Sequence, residues 1–211
     1  ETMRDAEFAG WAWNVIGGIH QAVGDTDSAV SYFDKALQCF QQASNHVGVA
    51  RVMNGLALAL EAIGSYDDAI SYSLQALEIH RANANILGEA RSLNDMGSVY
   101  FRQGEFAKAK ECHAEALRLR QSSGKRSSAI TSLTNLGKTL AREQAFAEAE
   151  ALLEEALNLA TEIGAKPKIY EIHAEFSALY EASGDLGRAF EHFKNYHYAR
   201  EEVLSAETAS R

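Results

Sequence analysis

The sequence predicts an all-α chain of stacked helical hairpins, and three observations carry that prediction. Its 211 residues include one proline, and alanine, leucine and glutamate abound, a composition suited to nearly continuous helix. A block of residues recurs every 40 positions, marked by Ala29, Ala69, Ala109, Ala149 and Ala189. Within a block, bulky residues such as Trp13, Ile16 and His20 keep the spacing that forms one stripe along a helix.

The register holds at several columns. A small residue precedes each marker alanine: Gly17, Ala57, Gly97, Gly137 and Ser177. A large one stands just before it, at Ile16, Leu56, Met96, Leu136 and Phe176, and another follows at His20, Leu60, Tyr100, Leu140 and Tyr180. After the marker come Ala36, Ala76, Ala116, Ala156 and Tyr196, each followed by Leu37, Leu77, Leu117, Leu157 or His197. The small columns let two helix backbones approach, and enlarging a side chain there should overpack the contact at a cost of about 1–3 kcal/mol. A turn glycine recurs as Gly24, Gly64, Gly104 and Gly184, with Gln144 as the exception. Glycine ends a helix well because it adopts the left-handed conformation without strain. Asp25-Thr26-Asp27-Ser28 and Asp67-Asp68 then supply caps and negative charge to the next helix start.

First helices are expected at 7–23, 47–63, 87–103, 127–143 and 167–183, and second helices at 26–43, 66–83, 106–123, 146–163 and 186–207. The repeats are thus about 7–45, 46–85, 86–125, 126–165 and 166–207. Turns between repeats fall near Ser44-Asn45, Ala84-Asn85, Gly124-Lys125 and Gly164-Ala165, and Pro167 stands at a helix start, where its missing N–H is tolerated. Glu1 to Arg4 align with Gln41 to Ser44, the end of a second helix, so the chain reads as a fragment with a further repeat upstream. Tyr198 to Arg211 reads as helix beyond the normal repeat, either a cap or the start of a linker helix.

The columns resemble the tetratricopeptide repeat, W-x2-L-G-x2-Y followed by A-x3-F. Trp13, Ile16, Gly17, His20, Ala29 and Phe33 occupy those positions in the first copy, and Leu93, Met96, Gly97, Tyr100 and Ala109 in the third. The fifth departs at His173, Ser177 and Tyr196, as a capping repeat does. A 40-residue period also falls within the HEAT and armadillo range, but the spacing inside the hairpin is that of the tetratricopeptide repeat. The extra length falls after the second helix, so both helices should be longer by about a turn. This long form resembles the repeats of G-protein-signalling adaptors and of sensory regions in bacterial signalling proteins. The resemblance implies a right-handed α-solenoid of five hairpins with an extended C-terminal helix, forming a single array over 1–211. It also implies first helices that line a concave groove, a binding role without catalysis, and no cofactor.

A net charge of −9 and a pI near 5.3 disfavour non-specific binding to nucleic acid or to an anionic membrane. The two cysteines, Cys39 and Cys112, form no CxxC, and two repeats between them exceed the reach of a disulfide. Free thiols, no signal peptide and no long apolar run point to a reducing, cytoplasmic setting.

The face opposite the packing stripe of the first helices gives the candidate site. Asn14, Asn54 and Asn94 form one column, with Thr134 in the next repeat and Asn135 offset by one. An amide can both donate to and accept from an extended peptide backbone. Arg51 and Arg91 form a second column, joined by Arg102, Lys138 and Arg142, and arginine's fork suits a carboxylate. Trp11, Leu58, Ser98 and Phe101 complete the groove, with Trp11 and Phe101 as apolar anchors. The partner expected is a protein or peptide, with acidic residues, in a groove that is basic in the middle and acidic at the fifth repeat. Structural readings stand beside each: asparagines bonding within or between repeats, arginines paired with Glu61 or Asp95, and Trp11 covered by an upstream repeat. Two further roles are open, a sensory input domain of a larger bacterial signalling protein and self-association through the terminal repeats.

Other motifs carry no chemistry. Gly137-Lys138-Thr139 ends like a phosphate loop, but Ser132 stands where that loop needs glycine. The seven histidines include no HExxH, and His192 and His197 are five apart, a poor helical metal pair. Glu154-Glu155 and Glu201-Glu202 are helix neighbours without the shared cleft that acid–base catalysis needs. No GxSxG, GxGxxG or Cys/His nucleophile arrangement occurs.

Overall fold

The computed structural model describes residues 3–124 and 126–209. Among them are ten α-helices and no strand. In chain order they are α1 (Met3–Ala22), α2 (Thr26–Gln42), α3 (His46–Ala62), α4 (Tyr66–Ala82), α5 (Ile86–Arg102), α6 (Phe106–Ser122), α7 (Ile130–Arg142), α8 (Phe146–Glu162), α9 (Lys166–Ser183) and α10 (Leu186–Ala209). In the second repeat, two 17-residue helices and two three-residue turns account for the 40-residue period. The chain divides into two compact units, Glu1–Glu105 and Phe106–Arg211.

Nearly every helix lies within two residues of its expected bounds, with two departures. The first helix starts at Met3 rather than 7. Met3 and Arg4 therefore lie within α1. In the fourth repeat, a 3-10 turn over Arg126–Ala129 precedes α7. Asn45 and Asn85 cap α3 and α5, accepting from the N–H groups of Gly48 and Gly88 at 2.8 and 3.0 Å. The sequence has Lys125 in that column, which offers no side-chain acceptor to the first amides. Lys125 itself lies outside the described residues, as do Ser210 and Arg211. At α9, which also lacks a capping side chain, a proline at the first turn removes one of the amides that needs a partner.

The turn after α7 ends on Gln144 with φ of 63°. The left-handed turn is thus kept where the glycine is lost. At the C-terminal end, α10 runs 24 residues, so the expected extension is helical through Ala209.

The first unit packs α1, α3 and α5 side by side, with α2 and α4 covering them. The marker alanines are the points of closest approach: Ala29, Ala36, Ala69 and Ala76 have no exposed surface. Around the first pair, Phe33, Phe40, Val49, Val52, Met53 and Leu56 form one apolar cluster. The second unit repeats the scheme with α7 and α9 side by side. Its cluster includes Leu133, Leu153, Ile172, Phe176 and Leu179.

One contact recurs between consecutive repeats of the first unit. Phe40, fully buried near the end of α2, lies over the backbone of Gly48 in α3. His80, near the end of α4, lies likewise over Gly88 in α5. A Cβ at either glycine would collide with the ring unless the ring shifted. Gly18 is different: a Cβ there would meet nothing within 4 Å.

Two substitutions separate these cases. Gly18→Ala should stabilise the chain by up to about 1 kcal/mol, because alanine restricts the unfolded chain and favours helix. Gly48→Ala has the same propensity gain but should be net destabilising by about 1–2 kcal/mol, since overpacking costs about 1–3 kcal/mol. Urea unfolding followed by circular dichroism checks both, and a Gly48→Ala midpoint above wild type would refute the seating of Phe40.

Candidate functional site

The candidate residues of the first unit sit on α1, α3 and α5, which meet side by side. The 40-residue register places Trp11, Arg51 and Arg91 at equivalent positions, and Asn14, Asn54 and Asn94 at another set. Arg51 and Arg91 border two neighbouring hollows. One, of about 260 Å³, is bounded by Asn14, Gly18, Gln21 and Gly55 as well as the two arginines. The other, of about 370 Å³, adds Asn54, His80, Asn85 and Gly88. Exposed apolar side chains edge them: Val15 beside the first, Val47 and Leu87 beside the second.

The position of Arg51 follows from the core beneath it. Phe40 is held on Gly48. The half-buried Trp11 ring meets Phe40 edge-on at 4.9 Å, and the Arg51 guanidinium lies over Trp11 at 5.2 Å. A cation above an aromatic face is attracted by the ring quadrupole, which holds the charge at the mouth of the hollow. Among the described residues Arg51 makes no ion pair. Arg91 has only a loose one, with Nε 3.8 Å from Oδ2 of Asp95. Both arginines are exposed.

The asparagine column is not the exposed row expected of it. Asn54 is 1% exposed and Asn94 5%. The carbonyl of Asn54 accepts a hydrogen bond from the Ser92 hydroxyl at 2.9 Å, which ties one repeat to the next. Only Asn14 of the three is half-exposed. The reason is close helix spacing, since this column turns toward the neighbouring first helix.

Leu58, Ser98 and Phe101 are half-buried, and the Ser98 hydroxyl donates to the backbone carbonyl of Asn94 at 3.2 Å. Arg102 lies 3.9 Å from Glu61. Tyr66 and Glu61 hold its guanidinium firmly charged, while burial raises the Glu61 carboxyl above its usual range against the pull of Arg102. In the second unit, the Thr134 hydroxyl donates to the Ile130 carbonyl at 2.9 Å. Lys138 donates to Glu175 at 3.0 Å, and Arg142 lies over the Phe106 ring at 5.6 Å.

The residues that the sequence reading passes over are His80, Asn85 and Gly88. Their signal was present in the register, because His80 occupies the column of Phe40 and Gly88 that of Gly48. Burial, then the charges of Arg91 and Arg51, hold the His80 imidazole below its usual range, with Glu89 opposing.

Among the described residues no group of three or more histidines, cysteines, aspartates or glutamates is placed to hold a metal. None of the described helices is long and apolar enough to cross a membrane. Cys39 and Cys112 are free and half-buried, and burial pushes the Cys112 thiol up to about 11.

Repeated hairpins with polar groups gathered on the first helices define a helical-repeat protein. The tetratricopeptide repeat pattern matches residues 8–82 and 88–162, and the chain belongs to that family. Among solved structures, BtubC (BKLC) from P. vanneervenii is 20% identical over 91% of this chain and 80% of that one, with a TM-score of 0.74. The apo form of RapI is 16% identical over 94% of this chain and 85% of that one, with a TM-score of 0.72. A Rap protein complexed with competence and sporulation factor is 17% identical over 100% of this chain and 58% of that one, with a TM-score of 0.79. At these identities the likeness is one of fold. No curated protein matches the chain.

The electrostatics of the second unit lead to a pH prediction. His113 is 1% exposed and its Nδ1 has no hydrogen-bond partner. Burial, aided by the charges of Arg120 and Lys138, pushes its pKa down to about 4 from 6.5. The unfolded chain therefore takes up a proton on this ring before the folded chain does. The associated stability is complete above pH 6.5 and is lost as pH falls from there towards 4, by up to roughly 3 kcal/mol. His113→Leu, which copies Leu153 one period later, should flatten the loss of stability between pH 7 and pH 5. Urea unfolding across that range checks it, and an unchanged slope would remove His113 as the titrating group.

Proposed function

We propose that the chain is a protein-interaction scaffold, and that the α1–α3–α5 face of its first unit binds an extended peptide or protein segment bearing an acidic residue. The observation that carries this reading is the pair Arg51 and Arg91, which border both hollows and are not engaged by any close carboxylate. Two exposed guanidiniums beside polar hollows are suited to a carboxylate, and bidentate pairing gives such a contact direction as well as strength. Val15, Val47 and Leu87 supply apolar contact at the edges, where a neighbouring side chain of the segment would lose water. Family membership supports binding rather than catalysis as the role.

A second reading is that the chain is the sensory input part of a larger signalling protein. What favours it is the likeness to a Rap protein complexed with competence and sporulation factor, of whose length this chain spans 58%. The sequence of the full gene separates the two readings, since the second requires an output domain on the same polypeptide.

The first reading is tested with two pools of fluorescein-labelled nine-residue peptides, random apart from a central glutamate in one and a central glutamine in the other. Fluorescence polarisation should show the glutamate pool binding more tightly, with the preference weakening as salt is raised. Arg51→Glu with Arg91→Glu should reduce that binding by about tenfold or more, since each charge-assisted contact contributes roughly 1.5–3 kcal/mol. Equal binding of the two pools, or an unaffected double variant, would count against the site.

A further inference from the structure

The larger hollow owes its character to one exchange in a repeated column. Phe40 fills its seat over Gly48 with an apolar ring, against which Trp11 packs. One period later the residue is His80, over Gly88. This ring is smaller and polar, and it borders the cavity of about 370 Å³ together with Arg51, Arg91, Asn54 and Asn85. The substitution therefore converts a packing position into a polar wall of a cavity that two arginines also line.

The hydrogen bonds define which ring nitrogen carries the proton. The amide nitrogen of Asn85 lies 3.2 Å from Nδ1 of His80. That nitrogen can only donate, and the Asn85 carbonyl is already engaged by the Gly88 N–H at 3.0 Å. Nδ1 is therefore the acceptor, and the neutral ring bears its proton on Nε2. Asn85 thus performs two tasks: it caps α5 and sets the tautomer of the ring beside it. His80 is 4% exposed, and among the described residues the one hydrogen bond of its side chain is through Nδ1. The Nε2–H is left as the donor this ring can offer to a molecule in the cavity.

We propose that His80 is a binding residue of this cavity, a neutral Nε2–H donor that joins Arg51 and Arg91 in holding one oxyanion, either a carboxylate or a phosphate group. It rests on the reading of this face as the segment-binding surface and adds to it a third, uncharged donor supplied by a second helix. A neutral donor beside two cations suits an anion well. It contributes a directed hydrogen bond without placing a buried charge beside two exposed ones, which would need compensation when the site is empty.

The test is side-chain 15N NMR of the full chain, titrated with sodium acetate and separately with inorganic phosphate. The His80 Nε2 resonance should move together with the Nε resonances of Arg51 and Arg91 and saturate with them. Saturation with acetate assigns the oxyanion as carboxylate, and saturation with phosphate alone assigns it as phosphate. His80→Phe repeats the Phe40 arrangement over Gly88, so the variant should keep the wild-type helical signal and melting behaviour. Its anion affinity should fall by about tenfold or more, the loss expected of a hydrogen bond to a charged group. His80→Gln, which keeps an N–H donor, should stay within about threefold, less than that loss. Arginine resonances that respond while His80 is silent, or wild-type affinity in His80→Phe, would overturn the proposal. Failure of the peptide pools to bind, with the three resonances still responding to acetate, would remove the segment reading alone. Peptide binding unchanged by His80→Phe would remove His80 alone.

Discussion

The seating of an aromatic ring on a glycine is the contact on which the first unit depends. In the first unit, each second helix meets the following first helix at a residue without a side chain, Gly48 or Gly88. The ring that fills the space then orders what lies above it. Phe40 on Gly48 supports Trp11, and Trp11 supports the Arg51 guanidinium. A core packing decision thereby sets the position of a surface charge. Because interiors are close-packed and adjust poorly, a change of one methyl group at Gly48 should be transmitted along the same series of contacts.

Electrostatics divide the polar groups of this chain into two kinds. Lys138 with Glu175 and Lys110 with Glu143 are partly exposed pairs that join neighbouring helices, and such pairs contribute about 0–1 kcal/mol each. The histidines of the interhelical layers behave differently. His80, His113, His173 and His192 are all held below the usual imidazole range, with burial as the leading cause. His173 and His192 meet through their Nδ1 atoms at 3.0 Å, a contact that requires at least one neutral ring. Each of these groups shifts stability in the same direction, towards loss on acidification below the unfolded-state pKa.

Most of the helical architecture was legible in the sequence because the repeat is a packing signal. Alanines at fixed columns mark closest approach, and their burial in Ala29, Ala69, Ala109 and Ala149 is complete. The turns were legible too, since a left-handed residue closes each hairpin even where Gln144 replaces glycine. What escaped depends on contacts between repeats, which no single helical period contains. The asparagine column read as an open row of amides, yet Asn54 is spent on Ser92 across the interface between first helices. His80 was passed over because a lone histidine in a packing column has no local signature of binding. Its meaning comes only from Asn85, Arg51 and Arg91, which approach it from different helices. The 3-10 turn before α7 escaped as well, because an apolar stripe carries no information on how a helix's first amides are satisfied.

Two buried histidines, His113 and His80, stand where other repeats carry apolar residues, and their surroundings differ. His113 stands in the column of Phe33, Ser73 and Leu153; its Nδ1 has no partner, and it borders none of the hollows described above. Its polarity is a cost, and leucine should serve better. His80 stands in the column of Phe40, but its Nδ1 is matched by an amide whose other end caps a helix. It also borders a cavity shared with two exposed guanidiniums. In a repeat array, stability is close to a sum of local terms, so a single interface can tolerate a polar replacement without endangering the rest. A buried polar side chain that is oriented on one side and faces a polar cavity on the other is arranged for a ligand. One that is merely buried and unmatched is a defect that the neighbouring repeats absorb.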